Sequence, residues 1–413
     1  MSAKKAAALL VSGLVLAGFL PSPSSAQGGP GTAATASRQQ PVRDFTREAR
    51  EIEQLAARVV EAARIPSISI TIVQGERVLV QNAFGVTDTV SKQPATADTV
   101  YRLASLSKAF AGALTAQLVE EGALSWDTRL VDQLPMFKLA DLEGAQNLTT
   151  RDILSHRMGL PNNTYDRDLE NNEPYELLAG RLANAPLTCR PGACYTYQNV
   201  AFSLIGDLVF AGTGDFYTHQ VEKRIFHPLG MYSATYGRQP LEAMPSWARP
   251  HVRGRGGWVP VRPKETYYRV PPAAGVNASA RDMAQWLIAQ LGHRPDVLSP
   301  EALAETHTPQ VATPGELRNT PWRRERLRDA SYGLGWRIYD YAGHTMIFHG
   351  GAVQGYRGLA ALLPEHDVGI VLLWNSESAV PTGIMPTFLD RVLGLPERDW
   401  VQIGRVRQQN ARR

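Results

Sequence analysis

Three motifs that would each assign a common chemistry are missing from this sequence. The nine histidines show no His-Glu-x-x-His or similar ligand spacing, which predicts no metal site. No Gly-x-Ser-x-Gly elbow occurs, which argues against an α/β-hydrolase. A phosphate-cradling Gly-x-x-x-x-Gly-Lys-Ser/Thr loop is also absent. We therefore expect neither a metal ion nor any other cofactor.

Long apolar runs are missing too, apart from one near the N-terminus. Lys4 and Lys5 precede an apolar run from Ala6 to Leu20, and small residues then lead to Ala26. This order is typical of a secretory signal, with cleavage expected after Ala26. The alternative is a transmembrane anchor, but that would need about 20 apolar residues and this run is shorter. We predict a periplasmic or secreted protein with no membrane span after signal removal.

Composition divides the sequence that follows this signal peptide (residues 1–26) into three parts. Residues 27–41 are small and polar and predict a flexible lead-in, residues 42–395 predict one domain, and residues 396–413 predict a basic tail. The formal charge of +4 includes the two signal lysines, so the mature chain carries about +2. Its arginines at 405, 407, 412 and 413 form a short basic end with no aromatic residues between them. We expect a solvated terminus and no nucleic-acid partner.

The only two cysteines are Cys189 and Cys194, separated by the residues RPGA. The Pro191-Gly192 pair predicts a turn that would bring the two Cα atoms within disulfide range. Outside the cytoplasm such a bond would persist, and we favour it over two free thiols.

Hydrophobic patterning predicts strands at both ends of the domain and helices between them. The predicted helices cover residues 46–64, 105–121 and 382–393, and about 105–300 is mostly helical. The predicted strands cover residues 67–73, 78–84, 345–349, 356–363 and 369–374. Strands from both ends must meet in one sheet, and their hairpin links make it antiparallel. We therefore expect an α/β fold of the α+β type, with an antiparallel sheet, flanking helices and an inserted, mostly helical subdomain.

A Ser-x-x-Lys motif, Ser105 to Lys108, is the first candidate for catalysis. Positions i and i+3 share one helical face, so the Ser105 hydroxyl and the Lys108 amine can meet, whereas Ser107 points elsewhere. A helix N-terminus favours developing negative charge, and an apolar setting lets a lysine lose its proton more easily. The alternative is that Ser105 only caps the helix and Lys108 is solvated. A second match, at residues 2–5, lies in the expected signal peptide.

A Tyr-x-Asn pair offers further polar groups. Tyr197 and Asn199 lie on a corner between the Pro191-Gly192 turn and a helical run. A phenol there could shuttle protons and an amide could anchor a substrate. Taken alone, the pair is common, and a half-buried tyrosine is the better explanation.

A His-Gly-Gly sequence ends one of the predicted strands. Paired glycines let another backbone approach closely, and the amide of Ala352 could then donate to an oxyanion. The alternative is a glycine bend beside a core histidine.

In this order, the three motifs resemble those of the serine β-lactamase and penicillin-binding protein superfamily, most closely its class C-like branch. The stretches VYRLASLSKAF, LTTRDILSHRMGLP, SYGLGW and HGGAVQGYRG look like family sequences as well. The resemblance runs from about residue 50 to 395. The branch also contains D-Ala-D-Ala peptidases, D-amino-acid peptidases and esterases.

The resemblance implies roles for individual residues. Ser105 would be the acylated nucleophile, Lys108 its partner base, and Tyr197 a proton relay to the leaving group. Backbone N–H groups of Ser105 and Ala352 would form the oxyanion hole, and Asn199 would hold a substrate amide. Whether Lys108 or Tyr197 takes the serine proton stays open at this point.

The third motif departs from the family pattern. Penicillin-processing members usually carry Lys-Thr-Gly or Lys-Ser-Gly where this chain has His349 followed by Gly350 and Gly351. The resemblance places His349, Gly351 and Ala352 in the substrate-binding strand. A lysine there is a permanent charge that helps to fix a substrate carboxylate, whereas an unperturbed histidine is mostly neutral at pH 7.

The sequence therefore predicts an exported serine hydrolase that forms an acyl-enzyme. Its substrate would be a small molecule or peptide: a cell-wall peptide, a D-amino-acid compound, a β-lactam or an ester. A carboxylesterase or D-amino-acid peptidase on the same fold is the alternative within enzymes. A non-catalytic penicillin-binding or sensor protein is the alternative of another class. The oligomeric state is left open.

Overall fold

The strands and helices come from a computed structural model in which residues 43–411 are described. The expected signal peptide and lead-in lie outside the described residues. The strands are β1 (Ser67–Gln74), β2 (Arg77–Gly85), β3 (Tyr101–Arg102), β4 (Thr235–Tyr236), β5 (His251–Gly254), β6 (Gly257–Pro260), β7 (Val276–Ala278), β8 (Val311–Ala312), β9 (Leu327–Tyr332), β10 (Arg337–Tyr341), β11 (His344–Val353), β12 (Tyr356–Leu363) and β13 (Val368–Trp374). The helices are α1 (Thr46–Ala63), α2 (Ser107–Glu120), α3 (Leu130–Gln133), α4 (Leu142–Gln146), α5 (Thr150–Leu154), α6 (Asp166–Glu170), α7 (Tyr175–Arg181), α8 (Leu204–Thr213), α9 (Tyr217–Val221), α10 (His227–Leu229), α11 (Arg238–Glu242), α12 (Pro271–Ala274), α13 (Ala280–Gln290), α14 (Pro300–Thr306), α15 (Pro321–Arg326), α16 (Ile384–Val392) and α17 (Ile403–Ala411).

An eight-stranded antiparallel sheet, in the order β2-β1-β13-β12-β11-β10-β9-β8, forms the centre of the fold. The N-terminal strand β1 pairs with the C-terminal strand β13, so that Ile68 lies opposite Trp374. Every residue of β1 is buried, as expected for a strand covered on both faces. The prediction of one antiparallel sheet built from both ends of the chain, with helices around it, is confirmed.

Helices cover the two faces of this sheet and create two apolar cores. On one face, α1 and α16 pack with alternate side chains of the central strands, including Ile70 and Trp374. On the other face, α2 and α13 pack together through the stacked rings of Phe110 and Trp286, whose centroids are 3.9 Å apart. Most of the remaining helices lie between β2 and β8 in the chain. The predicted helical subdomain therefore sits against the α2 face of the sheet.

The sequence prediction differs from the structure at some elements. β9 and β10 were not predicted, because charged residues such as Asp329 and Arg337 interrupt their apolar alternation. β11 extends to Val353, beyond the predicted end at residue 349. The expected basic tail contains α17, whose Ile403 and Val406 pack against the core on the α1 face. Within the described residues, no helix is both long and apolar enough to cross a membrane.

Candidate active site

Ser105 lies in a one-turn 3₁₀ segment, Ala104–Leu106, directly before α2. Ala104 has a φ of 52°, a left-handed conformation that costs a residue with a Cβ about 1 kcal/mol or more. Residues 101–104 and 106–110 are buried, whereas Ser105 is partly exposed. The strained turn therefore presents the Ser105 side chain to a cavity of about 540 Å³.

Ser107 has a different role, as its position in the sequence suggested. Its buried hydroxyl donates to the Ala104 carbonyl at 2.6 Å and accepts from the Val276 amide at 3.0 Å. Both hydrogen-bonding directions of the hydroxyl are therefore used inside the fold. Ser107 fixes the strained turn against β7, and Ser105 is the serine that faces the cavity.

Lys108 is completely buried. Its ammonium nitrogen donates to the Asn199 side-chain oxygen at 2.7 Å and to the Ala273 carbonyl at 3.0 Å. Burial lowers the pKa of Lys108 well below its usual value, and the nearby charge of Asp166 opposes part of that shift. In the described structure its hydrogen bonds go to these partners, and none joins it directly to Ser105. The amine nevertheless lies one helical turn from the serine, in a setting that favours its neutral form.

Asp166 completes a polar chain that the sequence analysis missed. The Asn199 amide nitrogen donates to Asp166 at 2.7 Å, so the oxygen of the same carboxamide must face Lys108. Tyr267 donates to Asp166 at 3.4 Å and to Glu170 at 2.8 Å. Burial raises the pKa of Asp166, and the hydrogen bond from Asn199 opposes that shift. Asp166 therefore holds Asn199 in one orientation and places a carboxyl group near Lys108.

Tyr197 faces Ser105 across the cavity. Burial raises the pKa of Tyr197 above its ordinary value, and the interaction with Ser105 is the largest opposing effect. The Lys108 nitrogen lies 4.6 Å from the centroid of the Tyr197 ring. Tyr197 is thus a neutral phenol near neutral pH, placed beside both the serine and the lysine.

The corner that carries Tyr197 is held from several sides. Cys189 and Cys194 are bonded, with their sulfur atoms 2.06 Å apart. His156 accepts a hydrogen bond from the Gln198 amide at 3.1 Å, and its ring packs 4.4 Å from that of Tyr197. Burial lowers the pKa of His156 well below its ordinary value. His156 is therefore a neutral, structural support beneath the phenol.

Strand β11 brings its glycine pair against the Ser105 turn. A Cβ atom on Gly351 would lie well under 3.0 Å from the Leu103 carbonyl oxygen and 3.2 Å from the Ser105 nitrogen. Only glycine allows this approach, which puts the backbone of Ala352 in the wall of the same cavity. Pairing between β10 and β11 ends at Phe348, so residues 349–353 pair with β12 alone.

His349 belongs to the same strand and is almost completely buried, with 1% of its surface exposed. Its Nε2 atom is 3.0 Å from the Tyr332 hydroxyl, and its Nδ1 atom is 2.8 Å from the Gly350 carbonyl. Burial, with the nearby charge of Arg337, lowers its pKa well below the usual value. A neutral histidine with both nitrogens occupied supports the strand and does not line the cavity.

Arg337 is a second residue that the sequence analysis missed. It is the first residue of β10, lines the cavity, and lies 2.8 Å from Glu316. Arg323 also pairs with Glu316, so two guanidinium groups share one carboxylate and one positive charge is left over. The sequence feature that could have indicated Arg337 is its position directly after the family-like stretch SYGLGW. A Cβ on Gly335 of that stretch would come under 3.0 Å from the Lys108 carbonyl, so the motif also fixes β10 against α2.

The chain is similar in sequence to known proteins. The family model described as Beta-lactamase matches residues 52–392. The chain is 24% identical to Protein flp of Staphylococcus aureus (strain MW2) over 331 residues, which is 79% of this chain and 63% of that protein. It is 26% identical to the unguisins hydrolase ungD of Aspergillus violaceofuscus (strain CBS 115571) over 396 residues, which is 87% of this chain and 66% of that protein. These matches span slightly less than two thirds of the relatives' own lengths.

Solved structures show the same fold. The octameric penicillin-binding protein homologue from Pyrococcus abyssi has a TM-score of 0.73 at 24% identity, covering 84% of this chain and 78% of that one. A class C beta-lactamase from Rhodobacter sphaeroides has a TM-score of 0.65 at 23% identity, covering 85% and 100%. Because the family model covers most of the sequence and the fold agrees, the chain belongs to the Beta-lactamase family.

Proposed function

We propose that this protein is an exported serine hydrolase that cleaves an amide or ester bond through an acyl-enzyme on Ser105. The observation that carries the proposal is the exposure of this one hydroxyl between buried neighbours, opposite Tyr197 and against Gly351. A nucleophile, a proton carrier and a close backbone strand then meet in one cavity. The similarity to an unguisins hydrolase supports hydrolysis as the type of reaction.

The pKa shifts favour Lys108 as the group that takes up the serine proton. Burial lowers the pKa of Lys108, which makes its neutral amine available, and raises the pKa of Tyr197, which keeps the phenol protonated. The serine oxygen attacks the carbonyl carbon as its proton passes, by way of the Tyr197 hydroxyl, towards Lys108. The backbone N–H groups of Ser105 and Ala352 would stabilise the oxyanion.

Tyr197 then returns a proton to the leaving amine or alcohol, and the carbonyl re-forms as an ester on Ser105. Water attacks this ester in the second half of the reaction, with its proton passing to Lys108. The acid is released and Ser105 regains its proton. Asn199, oriented by Asp166, has a second amide hydrogen that is available to a substrate carbonyl.

The charge of the cavity favours a substrate with a carboxylate. The excess positive charge of the Arg323, Arg337 and Glu316 cluster is permanent, because a guanidinium stays protonated. It replaces the charge that a third-motif lysine would have supplied, so the neutral His349 does not argue against β-lactams or peptides with a free C-terminus. The best-supported substrates are amides or esters that carry a carboxylate near the scissile bond.

A carboxylesterase is the second candidate, and the apolar part of the cavity favours it. Trp322, Phe348 and Trp374 line this part of the wall and offer a surface to a neutral acyl chain. An ester substrate would need no contact with Arg337. The two candidates share the nucleophile and differ in how strongly the rate depends on a carboxylate.

Export rests on the expected signal sequence, whose residues lie outside those described, and on the disulfide. A bonded cysteine pair persists in a periplasmic or extracellular setting. The mass of the mature chain, isolated from the periplasm or the medium, would test cleavage after Ala26. An uncleaved chain in the cytoplasm would contradict export.

The test of function compares Ser105→Ala with Ser107→Ala. Both variants and the wild type are treated with a fluorophosphonate and a fluorescent penicillin, and the adducts are followed by intact mass. We expect Ser105→Ala to lose all labelling and Ser107→Ala to keep it, with lower stability because two buried hydrogen bonds are lost. If Ser105→Ala labels like the wild type, the nucleophile is wrong. Rapid loss of a penicillin adduct would indicate a β-lactamase, a persistent adduct a penicillin-binding protein, and fluorophosphonate labelling alone an esterase or peptidase.

A further inference from the structure

We propose that His344, Glu365 and His366 form a binding site for a divalent transition-metal ion, with zinc as the preferred ion. One possible ligand atom from each side chain lies within 4.8 Å of the other two. The site is remote from Ser105, because β11 begins at His344 and reaches the serine only at Gly351, about 20 Å further along the strand. A metal ion there would act on the stability of the sheet.

Strand pairing explains why the sequence analysis expected no metal. β11 and β12 pair so that Ile347 lies opposite Leu362. Extending this register brings the start of β11 beside the 3₁₀ turn at Pro364–His366, which joins β12 to β13. Glu365 and His366 are consecutive, but His344 precedes Glu365 by 21 residues and is brought beside it only by the sheet, so no short ligand spacing marks the group.

The backbone around the three side chains is fixed before any ion binds. The Thr345 amide donates to one oxygen of Glu365 at 3.3 Å, and the other oxygen lies 2.7 Å from His344 Nδ1. The turn is also tied to the rest of the fold, because the Gly75 amide donates to the Asp367 carbonyl at 2.8 Å. Ligands on a rigid backbone lose little conformational freedom when an ion binds.

The donor set and its dimensions fit zinc. Two imidazoles and one carboxylate are common zinc ligands, at about 2.0–2.2 Å from the ion, which places tetrahedral donors about 3.3 Å apart. The distance between His344 Nδ1 and the Glu365 oxygen must increase slightly from 2.7 Å, which a side-chain rotation would allow. The rings of His344 and His366 have centroids 5.1 Å apart. His344 and Glu365 are 35% and 50% exposed, which leaves the outer positions of the ion to water.

A second histidine–carboxylate pair on the surface offers a matched control. His219 Nδ1 lies 2.9 Å from Asp215, and this pair is also exposed. Among the described residues, His219 and Asp215 are not part of a three-residue ligand group, whereas His344 and Glu365 are joined by His366. Binding that needs the third ligand will distinguish the two pairs.

The experiment uses the full chain without an affinity tag, stripped of metal with EDTA. Cobalt(II) is titrated while the visible absorption is followed, and zinc is then added to displace it. We expect one equivalent of cobalt with the intense bands of a low-coordinate site, and full displacement by zinc. His344→Ala and His366→Gln should each weaken binding at least tenfold, whereas His219→Ala should bind like the wild type.

Other results would overturn the proposal. Cobalt binding could survive in His344→Ala and His366→Gln, or His219→Ala could weaken it equally. The wild type could also bind several equivalents weakly, as scattered surface histidines do. Since His344→Ala also loses a hydrogen bond, Glu365→Gln serves as a second variant that keeps a partner for His344. Retention of tight binding in Glu365→Gln would likewise contradict a three-ligand site.

Discussion

The two neighbouring glycines of β11 allow a sharp test of the site. A Cβ on Gly351 would lie well under 3.0 Å from the Leu103 carbonyl oxygen, whereas a Cβ on Gly350 would find its nearest neighbour, a Phe348 ring carbon, at 3.7 Å. Neither glycine has a positive φ, so alanine is not excluded by backbone conformation at either position. The two alanine variants therefore differ mainly in the space that is available.

The expected magnitude follows from this difference. Gly351→Ala must push β11 from the Ser105 turn by about 1 Å to reach an ordinary contact distance. Overpacking of this kind costs about 1–3 kcal/mol of unfolding free energy, and a shift of about 1 Å at reacting groups costs about 100-fold in rate. Gly350→Ala makes an ordinary contact, so we expect its stability to change by no more than about 0.5 kcal/mol.

The assay measures two quantities for each variant. Urea unfolding gives the free energy of unfolding, and the second-order rate of fluorophosphonate labelling gives the reactivity of Ser105. Gly351→Ala should label at least tenfold more slowly than Gly350→Ala in conditions where both are folded. Equal labelling rates would refute the conclusion that β11 supplies part of the oxyanion site by lying against the Ser105 turn.

Three further predictions concern groups around Ser105. The pH profile of kcat/KM should fall on the acid side as Lys108 becomes protonated. Asp166→Asn should move this acid limb to lower pH, because the carboxylate raises the pKa of Lys108. An unmoved limb, or one moved to higher pH, would contradict that coupling. Arg337→Gln should lower kcat/KM at least tenfold for a carboxylate-bearing substrate and leave kcat/KM for a neutral ester nearly unchanged. An equal loss on both substrates in steady-state assays would show that Arg337 is only structural. Replacing Cys189 and Cys194 by serine should lower the free energy of unfolding in urea by about 2 kcal/mol, as for a short closed loop. It should also slow the labelling of Ser105 by loosening Tyr197. Thiol titration of the native wild type should find no free thiol, and two titratable thiols would contradict the bond.

The sequence predicted those parts of the fold that local patterning determines. β12 begins and ends at the predicted residues, Tyr356 and Leu363, because its apolar run is uninterrupted and turn residues flank it. β10 was missed because it begins with Arg337, whose charge only a tertiary partner, Glu316, explains. Strands of this kind are recognised through their neighbours and not through their own pattern.

The residues of the candidate site also fall into two groups: those that short motifs indicate and those that only the fold brings into place. Ser105, Lys108 and Tyr197 lie in or beside short motifs whose spacing could be read directly, although their roles stay predictions. Asp166 could not be found, because its importance depends on a hydrogen bond to Asn199 made across the fold. For His349, the sequence suggested a neutral side chain, but the burial of that side chain depends on packing that no motif records.

The pairing of β1 with β13 has a consequence for the order in which the protein is built. Ser105 and Lys108 are synthesised long before residues 368–374, which are the last strand of the sheet and the partner of the first. Pairings over such sequence distances form late and slowly, since the intervening chain must be ordered first. A chain that ends before residue 368 would contain Ser105, Lys108, Tyr197 and Ala352 and still lack both the last strand of the sheet and Trp374 of the cavity wall. We therefore expect the candidate site to be complete only after residues 368–374 have paired with β1.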